Sequence, residues 1–239
     1  MVGNMENPAN KNLSSEGYRY ERKFLIDDLD YDTAFNLVYC STAGFIEAYP
    51  PRMVNNIYYD TFDFSSFHEN VDGISDRMKT RIRWYGEDTE WARKLVLEYK
   101  MKDSMLGTKK SYSLSGLSFR IDNDLGVIHD ALELQQNLPE GVRIEMMRRT
   151  PILANRYKRD YLISADGLYR LTIDTDMQYY PICNNKINWC NVHSDMKSII
   201  LELKYPVDLD NGVNDVSNTL PFRLTKNSKY VTGMFYVYA

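Results

Sequence analysis

Alternating apolar and polar positions recur along most of the chain and predict a protein dominated by β-strands. The side chains of a strand alternate between its two faces, so residues two apart share a face. Eight segments rich in Tyr, Val, Ile and Leu fit a strand: Arg19–Ile26, Asn55–Asp60, Arg77–Gly86, Lys94–Met101, Thr108–Leu114, Tyr157–Ser164, Tyr169–Met177 and Ser198–Tyr205. Eight strands can close an antiparallel barrel, so we predict an α+β fold, mainly antiparallel β, built on an eight-stranded closed barrel with surrounding helices.

Helical periodicity predicts four helices between and after these strands, at Leu29–Cys40, Asn123–Leu138, Arg143–Arg149 and Lys226–Val237. Turn signals such as Pro50-Pro51 and Asn211-Gly212 separate the segments but open no long linker. Residues 1–17 are rich in Asn, Ser and Glu without an apolar period and are expected to form a flexible tail. We therefore predict one domain over residues 18–239.

Charge and composition exclude several classes of function. The net charge of −4 over 239 residues argues against general nucleic-acid binding through a basic surface, so any anion site must be a local concentration of cations. Three scattered cysteines and three histidines make a poor zinc site and fit a reducing cytoplasm. No segment approaches the length of about eighteen apolar residues that spans a bilayer, so we expect a soluble protein.

Charged residues share one face of several predicted strands. In the segment from Arg77 to Trp84, four cations fall on one face: Arg77, Lys79, Arg81 and Arg83. Exposed strands usually mix charges of both signs, so a stack of like charges indicates a polyanionic ligand. Similar alternation gives four further charged sets, which are Glu21 with Lys23, Glu98 with Lys100 and Lys102, Arg170 with Asp174 and Asp176, and Glu202 with Lys204.

Two interpretations of these charged faces remain open from the residues alone. They could form the solvated outer side of an ordinary sheet. They could also face inward and line a polar tunnel, where arginine and lysine suit phosphate oxygens. Glutamates among the cations would then hold Mg²⁺ or Mn²⁺, or form internal ion pairs, and for Glu98 and Glu21 both roles stay open. The aromatic residues of the charged segments fall on the opposite face, which disfavours a nucleic-acid barrel that stacks bases.

Seven short motifs, taken in order and spacing, resemble the VTC domain of polyphosphate polymerases, within the triphosphate tunnel metalloenzyme (CYTH-like) superfamily. The similarity runs from about Tyr18 to Gly233. The motifs are Tyr20-Glu21-Arg22-Lys23-Phe24, Lys79-Thr80-Arg81-Ile82-Arg83-Trp84-Tyr85-Gly86, Leu97-Glu98-Tyr99-Lys100, Tyr157-Lys158-Arg159-Asp160-Tyr161, Arg170-Leu171-Thr172-Ile173-Asp174, Leu201-Glu202-Leu203-Lys204 and Ser228-Lys229-Tyr230-Val231-Thr232-Gly233.

The resemblance implies a tunnel that binds ATP and extends polyphosphate by transferring the γ-phosphate with Mn²⁺ or Mg²⁺. The positions that match the family's phosphate-binding, catalytic cations are Lys23, Arg81, Arg83, Lys100, Arg159, Arg170 and Lys229. Glu202 matches the metal-binding glutamate, and Glu98 and Glu21 are further metal candidates. Additional substrate-binding candidates are Arg77, Lys79, Lys102, Lys109, Lys110 and Lys204, and Lys110 is the better family match of the adjacent pair.

Departures from the family pattern bear on the reaction. Hydrolase relatives begin with E-x-E-x-K, but here Arg19 replaces the first carboxylate, which favours a polymerase over a triphosphatase. Ser111 and Ser113 stand where the family is often basic. A tunnel triphosphatase and a non-catalytic polyphosphate sensor remain alternatives. The eukaryotic complexes of the family add a phosphate-sensing domain and membrane segments, so we expect a cytoplasmic domain that reaches a membrane, if at all, through a partner protein.

Overall fold

A computed structural model describes residues 19–103, 106–135 and 137–238. The predicted flexible tail over residues 1–17 lies outside this part of the chain. The strands are β1 (Arg19–Ile26), β2 (Ile46–Asp60), β3 (Arg77–Tyr85), β4 (Trp91–Ala92), β5 (Val96–Asp103), β6 (Leu106–Ser113), β7 (Phe119–Arg120), β8 (Thr150–Ile163), β9 (Arg170–Cys183), β10 (Lys186–Ile187), β11 (His193–Asp195) and β12 (Ile199–Pro206).

Eight of these strands close into an antiparallel barrel, which confirms the predicted fold. Their order is β9-β12-β1-β6-β5-β3-β2-β8, and β8 pairs again with β9. The junction between β1 and β6 is narrow, with Arg19 opposite Gly107. The short strands β10 and β11 pair with β9, and β4 pairs with β7 outside the barrel. Within the described residues, Arg19 and Gly107 form the one paired position between β1 and β6.

Three strands are longer than the sequence pattern predicts, and β2 shows why. Pro50 and Pro51, interpreted as a turn signal, lie inside this strand. Their part of β2 pairs with β8 alone, because pairing with β3 starts at Val54, and the register shifts on both sides of Tyr49. Proline lacks a backbone N–H and is tolerated at sheet edges and bulges, which is the environment β2 provides here.

The described helices are α1 (Tyr31–Tyr39), α2 (Ser65–Val71), α3 (Gly126–Glu133), α4 (Glu140–Met147), α5 (Val213–Ser217) and α6 (Lys229–Tyr238). Helix α1 begins after Asp30, whose carboxylate accepts a hydrogen bond from the Thr33 amide at 2.7 Å, as an N-cap residue does. The prediction of one helix over Asn123–Leu138 was too long, and α2 and α5 were not predicted. No helix of the described ranges combines the length and the apolar character that crossing a membrane requires.

The apolar faces of the barrel strands point outward and are covered by the helices. Helices α3 and α4 pack on the outer faces of β3 and β5, where Ile82, Trp84 and Leu97 are buried. Helix α1 packs in a second cluster, with Phe24 and Leu201. Because burial of the apolar face takes up the outside of the barrel, the charged face is directed into its interior. The structure therefore decides between the two interpretations in favour of an internal polar tunnel.

Helix α6 packs against side chains on the tunnel face of the barrel. The Tyr230 ring stacks on Tyr58 with centroids 5.2 Å apart, and its hydroxyl donates to the buried Asp60 carboxylate at 2.6 Å. A Cβ atom at Gly233 would lie 2.6 Å from Leu153 Cδ2 and 2.5 Å from Tyr179 Cδ1. The absence of a side chain at this position therefore allows the close approach of α6, which carries Lys229 into the tunnel.

We expect Gly233→Ala to destabilise the domain by about 1–3 kcal/mol, because the added methyl group overpacks a buried contact. The free energy of unfolding, measured with urea, checks this value. Gly141→Ala is the matched control, since it also lies in a helix but has no atom within 4 Å of the added Cβ. There the substitution should leave stability unchanged or raise it slightly. Equal stability of the two variants would contradict the close packing of α6.

Candidate functional site

Basic side chains from several strands and from α6 meet inside the barrel. The register places Lys79 opposite Lys100, Arg81 opposite Glu98, and Lys100 opposite Lys109. One cavity inside the barrel is lined by Arg19, Lys23, Tyr58, Lys79, Arg81, Arg83, Lys100, Tyr157, Arg159, Glu202, Lys204, Ser228, Lys229 and Tyr230. Basic residues outnumber carboxylates in this set, so the interior carries the local positive charge that a polyanion requires.

Glu98 is at the centre of the first group of ion pairs. Arg81 reaches its Oε2 atom with Nη2 at 2.7 Å and Nε at 2.8 Å, and Lys109 Nζ reaches Oε1 at 2.9 Å. Arg83 Nη1 lies 3.7 Å from the same carboxylate. Desolvation raises the pKa of Glu98, but these cations outweigh it and hold the pKa well below the ordinary value. Glu98 is therefore ionised and paired with three cations.

Glu202 and the adjacent Asp174 hold the second group of ion pairs. Lys204 Nζ lies 2.8 Å from Glu202, and Lys23 Nζ lies 3.1 Å away. Burial would raise the pKa of Glu202, but Lys204, Lys23 and their basic neighbours keep it well below the ordinary value. Asp174 is fully buried and contacts Arg159 at 2.5 Å and also Lys229. Both carboxylates are thus ionised. A bound phosphate would contact the same cations that now pair with them.

Glu21 pairs with Lys23 of the second group and with a further tunnel lysine, Lys100. Its Oε2 atom accepts from Lys100 Nζ at 2.7 Å, and its Oε1 atom lies 3.5 Å from Lys23 Nζ. Desolvation opposes ionisation, yet Lys100 and Lys23 together lower the pKa of this carboxyl group. Every tunnel carboxylate named above therefore pairs with cations. These ion pairs offset the repulsion between the tunnel cations when no ligand is bound.

Three tunnel lysines, Lys79, Lys100 and Lys204, have a pKa below that of an ordinary lysine. Burial lowers the pKa of Lys204 to about 8 despite its contact with Glu202. Burial, together with Lys100 and Lys23, lowers the pKa of Lys79 well below 10.5, and its Nζ donates to the Ser228 hydroxyl at 2.9 Å instead of a carboxylate. A phosphate beside Lys79 would supply the negative charge that its surroundings lack.

We expect tripolyphosphate affinity to fall as the pH is raised toward 10.5. An ordinary lysine stays protonated over this range, but Lys79, whose pKa is lowered, does not. Phosphate stabilises the charged form of Lys79, so binding takes up a proton, and the required proton becomes scarcer at higher pH. Isothermal titration at a series of pH values measures the slope. Lys79→Arg should make the slope shallower, because arginine stays protonated throughout, whereas Lys100 and Lys204 keep their own contributions. An unchanged slope in Lys79→Arg would show that Lys79 does not take up the proton.

The remaining predicted substrate residues lie at the margins of the tunnel. Arg170 is exposed at the start of β9, opposite Lys204 and on the same strand face as Asp174. Arg77 lies opposite Lys102 at the ends of β3 and β5, and its Nε donates to Asn70 at 3.1 Å. The structure brings these three cations to the tunnel rim but not among the buried ion pairs.

The register corrects the expectation for Lys110. It lies opposite Tyr99 and is exposed, whereas its neighbour Lys109 lies opposite Lys100 and contacts Glu98. Successive residues of a strand point to opposite faces, so one of the two lysines has to leave the tunnel. Lys109 is therefore the tunnel residue of this pair, contrary to the family match made from the sequence.

Sequence reasoning missed Asp174 as a site residue and also missed the aromatic residues of the tunnel. Asp174 was assigned to a charged face, and alternation with Arg170 is the signal that could have placed it in the site. The aromatic residues of the charged segments, such as Trp84 and Tyr99, lie on the outer face as predicted. Tyr58 and Tyr157 lie outside those segments and line the tunnel, and they were not assigned to a face from the sequence.

The three histidines do not line the tunnel. His129 packs on Tyr59, with ring centroids 5.8 Å apart, and burial lowers its pKa. His193 stacks on Tyr236 on the outer side of α6, and His68 lies in the last turn of α2.

The donor set limits how a metal could be held. In the described ranges no group of three or more His, Cys, Asp or Glu side chains is arranged to hold a metal ion. Glu202 is ionised and lies among phosphate-binding candidates, so it can supply one oxygen ligand. Mg²⁺ commonly takes one or two carboxylates together with phosphate oxygens and water, and Glu202 fits such an arrangement once a phosphate is present.

The fold and site define a closed antiparallel tunnel domain with a basic interior suited to polyanions. The model of the VTC domain family matches residues 18–238, and the chain belongs to this family. No protein with curated annotation matches the sequence.

Solved structures show the same fold at low sequence identity. A putative adenylate cyclase from Vibrio parahaemolyticus is 10% identical with a TM-score of 0.50, covering 90% of this chain and 98% of its own. A putative adenylyl cyclase from Hippeastrum, described as having a dominant triphosphatase activity, is 14% identical with a TM-score of 0.49, covering 91% and 95%. The likeness to the Vibrio parahaemolyticus protein supports the fold and assigns no reaction.

Proposed function

We propose that the tunnel binds ATP and inorganic polyphosphate and transfers the γ-phosphate of ATP to the end of the growing chain. The observation that carries this proposal is the convergence of basic side chains from five barrel strands and α6 inside the barrel of a VTC-family domain. Arginine forks and lysine ammonium groups suit phosphate oxygens, and their attraction is stronger between low-dielectric walls than on an open surface.

The chain's own groups would act by positioning and by neutralising charge. A terminal oxygen of the polyphosphate attacks the γ-phosphorus, the bond from this phosphorus to the β–γ bridging oxygen breaks, and ADP leaves. Carboxylates position the guanidinium groups of Arg81, Arg83 and Arg159 inside the tunnel. These groups therefore need to move little when they bind phosphate oxygens. Phosphoryl transfer needs no covalent nucleophile from the protein, and none is required here.

Glu202 is the residue that would hold a divalent metal. At Glu202, Mn²⁺ or Mg²⁺ would supply positive charge that offsets the negative charge of the phosphates. The low pKa of Glu202 means that no proton has to leave before it binds the ion. Lys23 and Lys204, which now pair with Glu202, can form ion pairs with the bound phosphate instead. Recruitment to a membrane by a partner protein stays a prediction.

The products formed from ATP test this function. The purified protein is incubated with ATP and Mn²⁺ or Mg²⁺, with an EDTA control, and the products are separated on a polyphosphate gel. We expect a metal-dependent ladder of long chains with release of ADP. Release of free phosphate without a ladder would replace the transferase with a triphosphatase. Binding of tripolyphosphate without turnover would replace it with a module that senses or tethers polyphosphate.

A further inference from the structure

We propose that a ring of tyrosine and arginine side chains at one end of the tunnel binds the base of the nucleoside triphosphate. This tyrosine collar consists of Tyr49, Arg52, Tyr85 and Tyr161. The proposal rests on the proposed function, since it assigns the part of ATP that the basic tunnel does not hold. It also gives ATP a direction in the tunnel.

The collar continues the strand faces that carry the tunnel cations. Tyr85 follows Arg83 by two positions on β3, and Tyr161 follows Arg159 by two positions on β8, so each pair shares a face. Across the β2–β8 pairing, Tyr49 lies opposite Tyr161, and Arg52 lies opposite Arg159. A phosphate chain held by Arg83 and Arg159 would therefore end directly at these rings.

Helix α6 and the collar lie toward opposite ends of the tunnel. On β3, Lys79 bonds to Ser228 just before α6, whereas Tyr85 is the last residue of the strand. On β8, Leu153 meets the Gly233 backbone of α6, and Tyr161 lies further along the same face. With the base in the collar, the triphosphate would run past Arg83 and Arg159 toward Lys79 and Lys229.

The side chains of the collar form an organised and accessible aromatic surface. The guanidinium carbon of Arg52 lies 5.6 Å from the ring centre of Tyr49, 5.7 Å from that of Tyr85 and 5.5 Å from that of Tyr161. Tyr49 and Tyr161 also meet edge to face at 6.0 Å. Tyr49 is 48% exposed and Tyr85 is 43% exposed, so both rings have surface available for a ligand.

This chemistry suits a nucleobase better than a phosphate chain. Bases stack on aromatic rings and on arginine, and the contact tolerates different bases because each has a π-face. Inorganic tripolyphosphate has no ring to stack and would contact the basic interior alone. The collar therefore predicts a difference between two ligands that carry the same triphosphate group.

Binding measurements without metal test the collar separately from turnover. Dissociation constants for ATP and for tripolyphosphate are measured by isothermal titration for the unchanged protein and for Tyr49→Ala and Tyr85→Ala. We expect each alanine variant to lose about tenfold in ATP affinity, a typical effect of removing one stacking ring, with tripolyphosphate affinity changed less than about twofold. Tyr49→Phe and Tyr85→Phe should restore ATP binding, since the ring is kept.

Tyr236→Ala is the matched control, because Tyr236 is 44% exposed but stacks on His193 outside the tunnel. It should leave both affinities unchanged. Equal losses for ATP and tripolyphosphate in the collar variants would show that the collar holds phosphate and would overturn the proposal, as would no loss of ATP affinity. Selective loss of ATP binding in a protein that makes no polyphosphate would support the collar while the transferase fails. Absence of binding for both ligands in the unchanged protein would overturn both.

Discussion

Replacing Glu202 with glutamine is expected to reduce metal-dependent turnover of ATP by at least about a hundredfold. Glutamine keeps the size of the side chain but removes the negative charge that a divalent ion requires, and the ion's stabilisation of phosphate charge is worth several kcal/mol, or about tenfold in rate per 1.4 kcal/mol. The initial rate of product formation from ATP with Mn²⁺ measures the loss.

Binding without metal separates this role from a general loss of the site. Glu202 now offsets the charge of Lys23 and Lys204, so Glu202→Gln should bind tripolyphosphate at least as tightly as the unchanged protein. Because the substitution removes charge from a buried ion-pair group, rates are compared below the unfolding temperature of the variant. Glu133→Gln is the matched control, since Glu133 is exposed at the end of α3. Turnover above half of the normal rate in Glu202→Gln would exclude Glu202 as the metal ligand.

Replacing Asp174 with alanine is expected to destabilise the empty domain by about 3–5 kcal/mol, the usual cost of leaving buried charges without their partner. Asp174 is fully buried and contacts both Arg159 and Lys229, which are themselves almost completely buried. The loss corresponds to a decrease of roughly 10 °C in the unfolding temperature of a domain of this size. Thermal unfolding followed by circular dichroism checks it.

Tripolyphosphate should restore much of the stability lost in Asp174→Ala, because its oxygens can replace the missing carboxylate beside Arg159 and Lys229. A ligand that binds the folded state raises its stability in proportion to the logarithm of concentration over Kd. The increase in unfolding temperature should therefore be larger for the variant than for the unchanged protein. Asp122→Ala removes an exposed ion pair with Arg120 and should have no measurable effect. If Asp174→Ala matched Asp122→Ala, or if tripolyphosphate gave no extra stabilisation, Asp174 would not have the assigned role.

Tunnel carboxylates such as Glu202 and Asp174 are expected to be parts of the binding site for an anion. Glu98, Glu202 and Asp174 each hold arginines or lysines at defined places when phosphate is absent. A bound phosphate then replaces a carboxylate as the partner of these cations. Because the cations are already in place, little reorganisation is needed on binding. The same exchange explains why a site for negative ligands contains buried negative residues.

The sequence by itself determined the class of fold and most of the tunnel residues. Alternation with period two places Arg81 and Arg83 on one face and Ile82 and Trp84 on the other, whatever the partner strands are. The number of such segments then favours a closed antiparallel sheet, and the spacing of short motifs identifies the family. These features are local, so they can be read without knowing which strands are neighbours.

Tertiary structure decided what depends on pairing between distant segments. The direction of the charged faces followed from which side the helices cover, and the choice of Lys109 over Lys110 followed from the register of β6 against β5. The role of Asp174 depended on contact with Lys229 of α6. The collar joins Tyr49 to Tyr161 across two strands. Such contacts arise from closure of the barrel and docking of α6, and no local pattern of residues encodes them, because a register shift of one residue reverses every face.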